Sequence, residues 1–157
     1  MSYLKAKHLS ELLVSKGLTI SVAESCTGGS LSSSLTSISG ASSYFNCGFI
    51  TYSNQSKIDM LGVNPESIEM YGAVSEKVAH EMVLGAGQRS HSNLAISITG
   101  IAGPSGGTAS KPVGMVCIGF FFDGDVTTTT QFFKGSRSDI VLQSITYVLV
   151  EVSSKLS

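Results

Sequence analysis

The chain has no tryptophan, only three cysteines and three histidines in 157 residues, and charged side chains make up just 13% of it. Each shortage excludes something. Cys26, Cys47 and Cys117 form an odd, widely spaced set without a CxxC pair, which argues against a disulfide framework and suits a reducing compartment. His8, His80 and His91 are far apart and lack metal-ligand spacing, so no metal site is expected. Lys and Arg number 10 against 11 Asp and Glu, and the basic residues are scattered. That balance points neither to nucleic acid nor to an acidic membrane surface. The longest apolar run, Pro112 to Phe122, contains two glycines and falls short of the roughly 18 residues a membrane span needs. The N-terminus opens on polar and helix-forming residues rather than an apolar leader, and a cytoplasmic protein is expected. Neither a Walker A Gly-Lys-Ser/Thr nor a GxGxxG fingerprint occurs, which weighs against an ATPase and against a dinucleotide-binding dehydrogenase.

What is present is a chain of one-domain size, 1–157, with no repeat and no low-complexity linker. Ala6, Leu9, Leu12 and Leu13 fall at helical spacing, with Gly17 placed to stop that helix. A strand is predicted over Leu18–Ala23, a helix over about Gly28–Ser39, a loop over Gly40–Ser43 and a strand over Asn46–Tyr52. Short helices follow at Gln55–Leu61, capped by Ser53 or Asn54 and ended by Gly62, and after Asn64-Pro65-Glu66. Ser75 caps a longer helix whose apolar stripe is Val78, Ala79, Met82, Val83 and Ala86. Leu94–Thr99 reads as a strand, and Met115–Phe122 with Val126–Phe133 as a hairpin turning at Asp123-Gly124-Asp125. The last helix covers about Ser138–Val152. Alternating helices and strands followed by a hairpin argue for an α/β sandwich with a mixed sheet, whose sites gather at the carboxyl ends of strands.

Three such strand ends carry unusual residues. Ala23-Glu24-Ser25-Cys26-Thr27-Gly28-Gly29 is a polar turn between strand and helix. It can bind a phosphate or stabilise an oxyanion, and it offers two nucleophiles. With 28 serines in the chain, position is what singles out Ser25. Its plainer role is to cap the following helix. Cys26 gains nucleophilicity if the helix terminus lowers its pKa, and is otherwise a small packing residue. In Thr51-Tyr52-Ser53-Asn54-Gln55-Ser56-Lys57, a lysine stands near a helix start, where the dipole disfavours its charge. Aimed into a cleft, Lys57 would favour the neutral amine, which can accept a serine proton. Aimed outward, it is an ordinary solvated lysine. Tyr52 can relay a proton or simply fill the strand. Thr99-Gly100-Ile101-Ala102-Gly103-Pro104-Ser105-Gly106-Gly107 either brings backbone close to a ligand or merely turns the chain. Arg137 heads the final helix, where a bound anion would offset its unfavourable dipole.

Together these stretches, with Gly48-Phe49-Ile50-Thr51-Tyr52-Ser53-Asn54, Gly72-Ala73-Val74-Ser75 and Lys111-Pro112-Val113-Gly114, resemble the CinA C-terminal-domain family in order and over nearly the whole chain. Characterised members of that family are nicotinamide-nucleotide amidohydrolases. The resemblance implies a three-layer α/β/α sandwich and cleavage of the carboxamide of nicotinamide mononucleotide to nicotinate mononucleotide and ammonia, without a cofactor. Carried over by position, it makes Ser25 the nucleophile and Lys57 its base, with Tyr52 and Ser42 assisting. Thr99 and Arg137 would line the ligand site, with Thr27, Gly28, Gly29 and Gly100 supplying further substrate contacts. The chain departs from the family pattern at Ser136, where aspartate is common before the arginine. That departure is expected to leave Arg137 less well oriented, and it keeps open a non-catalytic module that binds a nucleotide or a protein. A homodimer is expected, with the Phe120–Phe122 and Phe132–Phe133 hairpin as its contact surface.

Overall fold

A computed structural model describes residues 2–157. Five strands, β1 (Ile20–Glu24), β2 (Phe45–Ile50), β3 (Leu94–Gly100), β4 (Met115–Phe122) and β5 (Asp125–Phe132), form one mixed sheet in the order β2-β1-β3-β4-β5. The strands β2, β1 and β3 run parallel, and β4 and β5 add antiparallel neighbours. Every residue of β1, and all but the last of β3, is buried, as expected of parallel strands covered on both faces.

Alternation along the strands divides the core in two. Ile20, Val22, Ile96, Ile98, Val116, Ile118 and Phe120 pack with Ala6, Leu9 and Leu13 of α1 (Ser2–Lys16), Leu31 and Leu35 of α2 (Ser30–Thr36), and the apolar stripe of α6 (Arg137–Leu156). Ala23, Ala95 and Phe121 face the other way, against Leu61 of α3 (Asn54–Leu61) and Val78, Met82, Val83 and Ala86 of α5 (Glu76–Ser90). The remaining helix, α4 (Pro65–Tyr71), leads into α5. The result is the three-layer α/β/α sandwich.

The helix starts follow local chemistry. Ser53, Asn64 and Ser75 cap α3, α4 and α5 by accepting from Ser56, Glu66 and Val78 N–H. The hairpin turns on Asp123 (φ 46°) and Gly124 (φ 98°), the paired positive φ that matches strand twist. On α5, glycines permit close approach. A Cβ at Gly85 would lie 1.9 Å from the Leu61 carbonyl oxygen, and one at Gly87 would meet the Phe121 ring at 2.6 Å. At the other end of α5, Thr130 and Thr128 hydroxyls donate to Glu76 and hold its carboxyl below the usual range.

Several boundaries differ from expectation. The β1 strand begins at Ile20 rather than Leu18, and β2 ends at Ile50 rather than Tyr52. The α2 helix starts at Ser30 rather than Gly28, because Gly28 and Gly29 take φ of 57° and 103° and cannot be helical. A short 3-10 turn, Ala41–Ser43, interrupts the expected loop. The hairpin aromatics also divide: Phe120 and Phe121 enter the two cores, leaving Phe122 and Phe132 as its exposed phenylalanines. Among the described residues, no helix is long and apolar enough to cross a membrane.

Replacing Gly85 with alanine forces α5 away from α3. Urea unfolding is expected to show a loss of about 1–3 kcal/mol. An unchanged midpoint would mean that the helices separate at no cost.

Candidate active site

The carboxyl ends of the three parallel strands meet at a cleft of about 280 Å³. Ser25 leaves the end of β1, Tyr52 and Lys57 follow β2, and Thr99 and the Gly100–Gly106 loop end β3. Ser25 is hooked to both neighbouring strands through its own backbone and that of Glu24. Its N–H donates to the Ile98 carbonyl, and the Glu24 carbonyl accepts from Thr51 N–H.

Lys57 is the buried basic side chain of the cleft. It sits on the inward face of α3, 1% exposed, and its Nζ lies 3.0 Å from Ser25 Oγ and 2.7 Å from the Thr51 carbonyl oxygen. Both partners are neutral, and among the described residues no carboxylate forms an ion pair with it. Burial therefore disfavours the ammonium form and pushes the Lys57 pKa below its ordinary value. Nζ donates to the Thr51 carbonyl and to Ser25 Oγ. In its neutral form the same amine can instead accept from the Ser25 hydroxyl, a geometry open to a base and its nucleophile.

Cys26 goes the opposite way. Burial is the main cause that raises its thiol from 9.0 to about 11, outweighing the backbone N–H and Arg137, which favour the thiolate. Desolvation thus outweighs the expected gain from a helix terminus, and little of Cys26 is thiolate at neutral pH. Cys117 is buried and likewise shifted up.

Arg137 ties the rim together. It is the first residue of α6, and it donates to the Gly103 carbonyl at 2.8 Å and to the Tyr52 hydroxyl at 2.6 Å. Among the described residues it forms no salt bridge, so its charge is available to an anion. Ser136 does not weaken this arrangement. Its hydroxyl accepts from Asp139 N–H while the Asp139 carboxylate accepts from Ser136 N–H, a complete capping box that orders the start of α6. The expected loss of Arg137 orientation is therefore corrected: a serine serves as cap, and two other segments hold the guanidinium.

Other expected site residues take different places. Tyr52 lines the cleft, but its hydroxyl faces Arg137 rather than the Ser25–Lys57 pair. Thr99 and Gly100 form the wall. The Thr99 hydroxyl is committed to the Ala73 carbonyl, and a Cβ at Gly100 would lie 2.8 Å from Val116. Thr27, Gly28 and Gly29 lie outside the cleft lining. The Thr27 hydroxyl donates to Glu24, and Gly28 N–H donates back to the Ser25 carbonyl, which commits it to shaping the turn. Ser42 is exposed in the 3-10 turn before β2, at the amino ends of the parallel strands. It is separated from Ser25 by the length of a strand, about 15 Å or more, because both strands run away from it. Within one chain it does not join the site.

Ser25 does not cap α2, as its plainer role required. The cap position is Gly29, which has no side chain to offer. The missing acceptor is Glu24, fully buried, a residue the sequence reading left without a role. Its Oε1 accepts from the Thr27 hydroxyl (2.6 Å) and Leu31 N–H (2.8 Å), and its Oε2 from Ser32 N–H (2.9 Å) and the Ser32 hydroxyl (2.7 Å). A Gly-Gly start to a helix was the available signal, since it leaves the first N–H groups in need of an acceptor from elsewhere. No group of three or more His, Cys, Asp or Glu side chains is placed to hold a metal among the described residues.

Comparison with known proteins agrees with this architecture. Residues 3–156 match the family model described as the CinA C-terminal domain. A nicotinamide-nucleotide amidohydrolase PncC of Enterobacter agglomerans is 48% identical over 138 residues, 87% of this chain and 84% of that protein. A CinA-like protein of Chloroherpeton thalassium is 58% identical over 132 residues, 84% of this chain but 30% of its own length. The chain thus spans about a third or less of some longer relatives. The crystal structure of a competence/damage inducible protein from Agrobacterium tumefaciens superposes with a TM-score of 0.94 at 39% identity, covering 98% of this chain and 94% of that one.

A thiol with a pKa near 11 is about one part in a thousand thiolate at pH 8. Iodoacetamide should therefore modify Cys26 slowly at pH 8 and progressively faster towards pH 11, as read by mass spectrometry. Rapid modification at neutral pH would show a thiolate that the surroundings do not support.

Proposed function

The chain belongs to the CinA C-terminal-domain family, and on that premise we propose that it is a nicotinamide mononucleotide amidohydrolase working through a Ser25 acyl-enzyme. The observation that carries the reading is the buried Lys57 Nζ, 3.0 Å from Ser25 Oγ and without a carboxylate partner among the described residues. The name of the Enterobacter agglomerans relative supplies the substrate class.

In this mechanism neutral Lys57 takes the Ser25 hydroxyl proton as Oγ bonds to the carboxamide carbon, whose electrophilicity the pyridinium ring increases. The backbone N–H of Cys26, next to Ser25 in the chain, is the donor this reading assigns to the developing oxyanion. One such donor is worth about 2.7–4 kcal/mol. Protonated Lys57 then gives its proton to the departing nitrogen, the C–N bond breaks, and ammonia leaves. A water molecule next attacks the ester carbon while Lys57 accepts its proton. Nicotinate mononucleotide departs, Ser25 Oγ is reprotonated, and the chemistry returns a pyridine nucleotide to its acid form for recycling.

The Arg137 guanidinium pairs with the 5′-phosphate, which selects a nucleotide over free nicotinamide. A binding-only module is the alternative reading; the capping box at Ser136 and the tethered Arg137 are compatible with both.

Ammonia release from nicotinamide mononucleotide tests the reading. Ser25→Ala and Lys57→Ala are each expected to lower kcat by about 10⁴-fold or more, whereas Cys26→Ala should keep wild-type kcat. Substrate binding without ammonia release by the wild type would instead identify a binding module. Arg137→Ala is expected to raise KM by about 10- to 100-fold, the loss of a charge-assisted contact of about 1.5–3 kcal/mol. An unchanged KM would place the phosphate elsewhere. Because the active amine is the neutral form, kcat/KM should rise with pH and level off above the Lys57 titration, with a midpoint below 10.5. Linkage has the same sign for this group: between the lowered folded value and 10.5 the unfolded chain binds more protons at Lys57, so its contribution to stability rises with pH, against the opposite trend of the raised Cys26, Cys47 and Cys117 thiols. In Lys57→Met, urea unfolding should show stability falling more steeply with alkaline pH than in the wild type.

A further inference from the structure

Glu24 precedes the nucleophile, is fully buried, and touches neither the cleft lining nor Lys57 through an ion pair. A buried carboxylate costs several kcal/mol unless it is well bonded. Its four hydrogen bonds meet that demand, and their placement is informative. They come from Thr27, within the turn Ser25–Gly29, and from Leu31 and Ser32 in the first turn of α2 beyond it. The Glu24 backbone meanwhile belongs to β1, paired with Ile50 on one side and Ile98 on the other. The side chain therefore clamps the end of the strand to the start of α2, closing a short loop that contains Ser25.

Without that clamp the loop has little to hold its shape. Gly28 and Gly29 are its most permissive residues, and Gly29 caps α2 without a side chain. The strand pairs fix the Ser25 backbone nitrogen, but the direction in which the chain leaves Ser25 depends on where α2 begins.

From this placement, and resting on the amidohydrolase reading above, we propose that Glu24 is the positioning residue of the nucleophile: its carboxylate clamp on Thr27, Leu31 and Ser32 holds Ser25 Oγ in line with Lys57 Nζ. Glu24 acts through the turn and not on the substrate. Its negative charge is directed to donors of α2 rather than to Lys57, so it orders the nucleophile without serving as a counter-ion that would keep the lysine protonated.

Glu24→Gln keeps the size of the side chain but turns an N–H₂ towards the Ser32 N–H, which opens one half of the clamp. Displacement of a reacting atom by about 1 Å costs about 10²-fold, so kcat for ammonia release is expected to fall by that order. KM should stay within about threefold, and the acid-limb midpoint should stay at its wild-type position. Wild-type kcat in a folded Glu24→Gln protein would overturn the proposal. A shifted acid limb would overturn it too, by showing that the charge tunes Lys57. Should Glu24→Gln fail to fold, Thr27→Val and Ser32→Ala remove one hydroxyl donor each, and each is expected to lower kcat about 3- to 10-fold at constant KM. Wild-type kcat in both would refute the clamp. Labelling of Ser25 by a fluorophosphonate, followed by mass spectrometry, separates this proposal from the underlying reading. The same variants should slow labelling by similar factors even if the wild type releases no ammonia, and equal labelling rates would overturn the clamp by themselves.

Discussion

The contact between Lys57 Nζ and Ser25 Oγ is the constraint around which the cleft is arranged. An amine in bulk water stays charged at neutral pH and cannot take a serine proton. Buried at the end of a parallel sheet, with a carbonyl and a hydroxyl as its bonded partners among the described residues, the same amine loses the solvation that favours its charge. The fold supplies each requirement. The strands β1 and β2 are adjacent and parallel, so their ends deliver Ser25 and Thr51 side by side. The α3 helix, started by the Ser53 cap, turns Lys57 back over them.

Two buried ionisable side chains, Glu24 and Lys57, are treated oppositely. Glu24 accepts four hydrogen bonds and organises a helix start, while Lys57 forms no ion pair among the described residues. The separation has a physical logic. A carboxylate paired with the lysine would stabilise the ammonium and remove the base, so its charge is better directed to the exposed N–H groups of α2. Arg137, in the lining of the cleft, uses the neutral acceptors Gly103 and Tyr52 to hold its position.

Much of this was legible in the sequence. The alternating apolar segments, the Ser53, Asn64 and Ser75 caps and the Asp123-Gly124 turn depend on local chemistry, and they predicted the layers and the strand ends that form the cleft. The Ser25–Lys57 pairing was legible as a possibility, since a lysine near a helix start is explained by either burial or solvent, and only tertiary packing decides between them. Ser42 was misplaced because a family position gives no distance, whereas parallel pairing sets it at the opposite end of the strands. The reach of Glu24 was hidden because its partners stand three to eight residues away, across a turn whose shape depends on two glycines. The raised Cys26 pKa was illegible for a similar reason: the helix-terminus argument is local, while the desolvation that outweighs it comes from the packed surroundings.

The most direct test is an NMR titration of the Lys57 side-chain nitrogen in the wild-type protein, with Lys57→Met identifying the resonance. A pKa clearly below 10.5 is the result predicted for a buried base without a counter-ion. A value at or above 10.5 would mean that Lys57 stays charged beside Ser25, and the proposed activation of the nucleophile would fall with it.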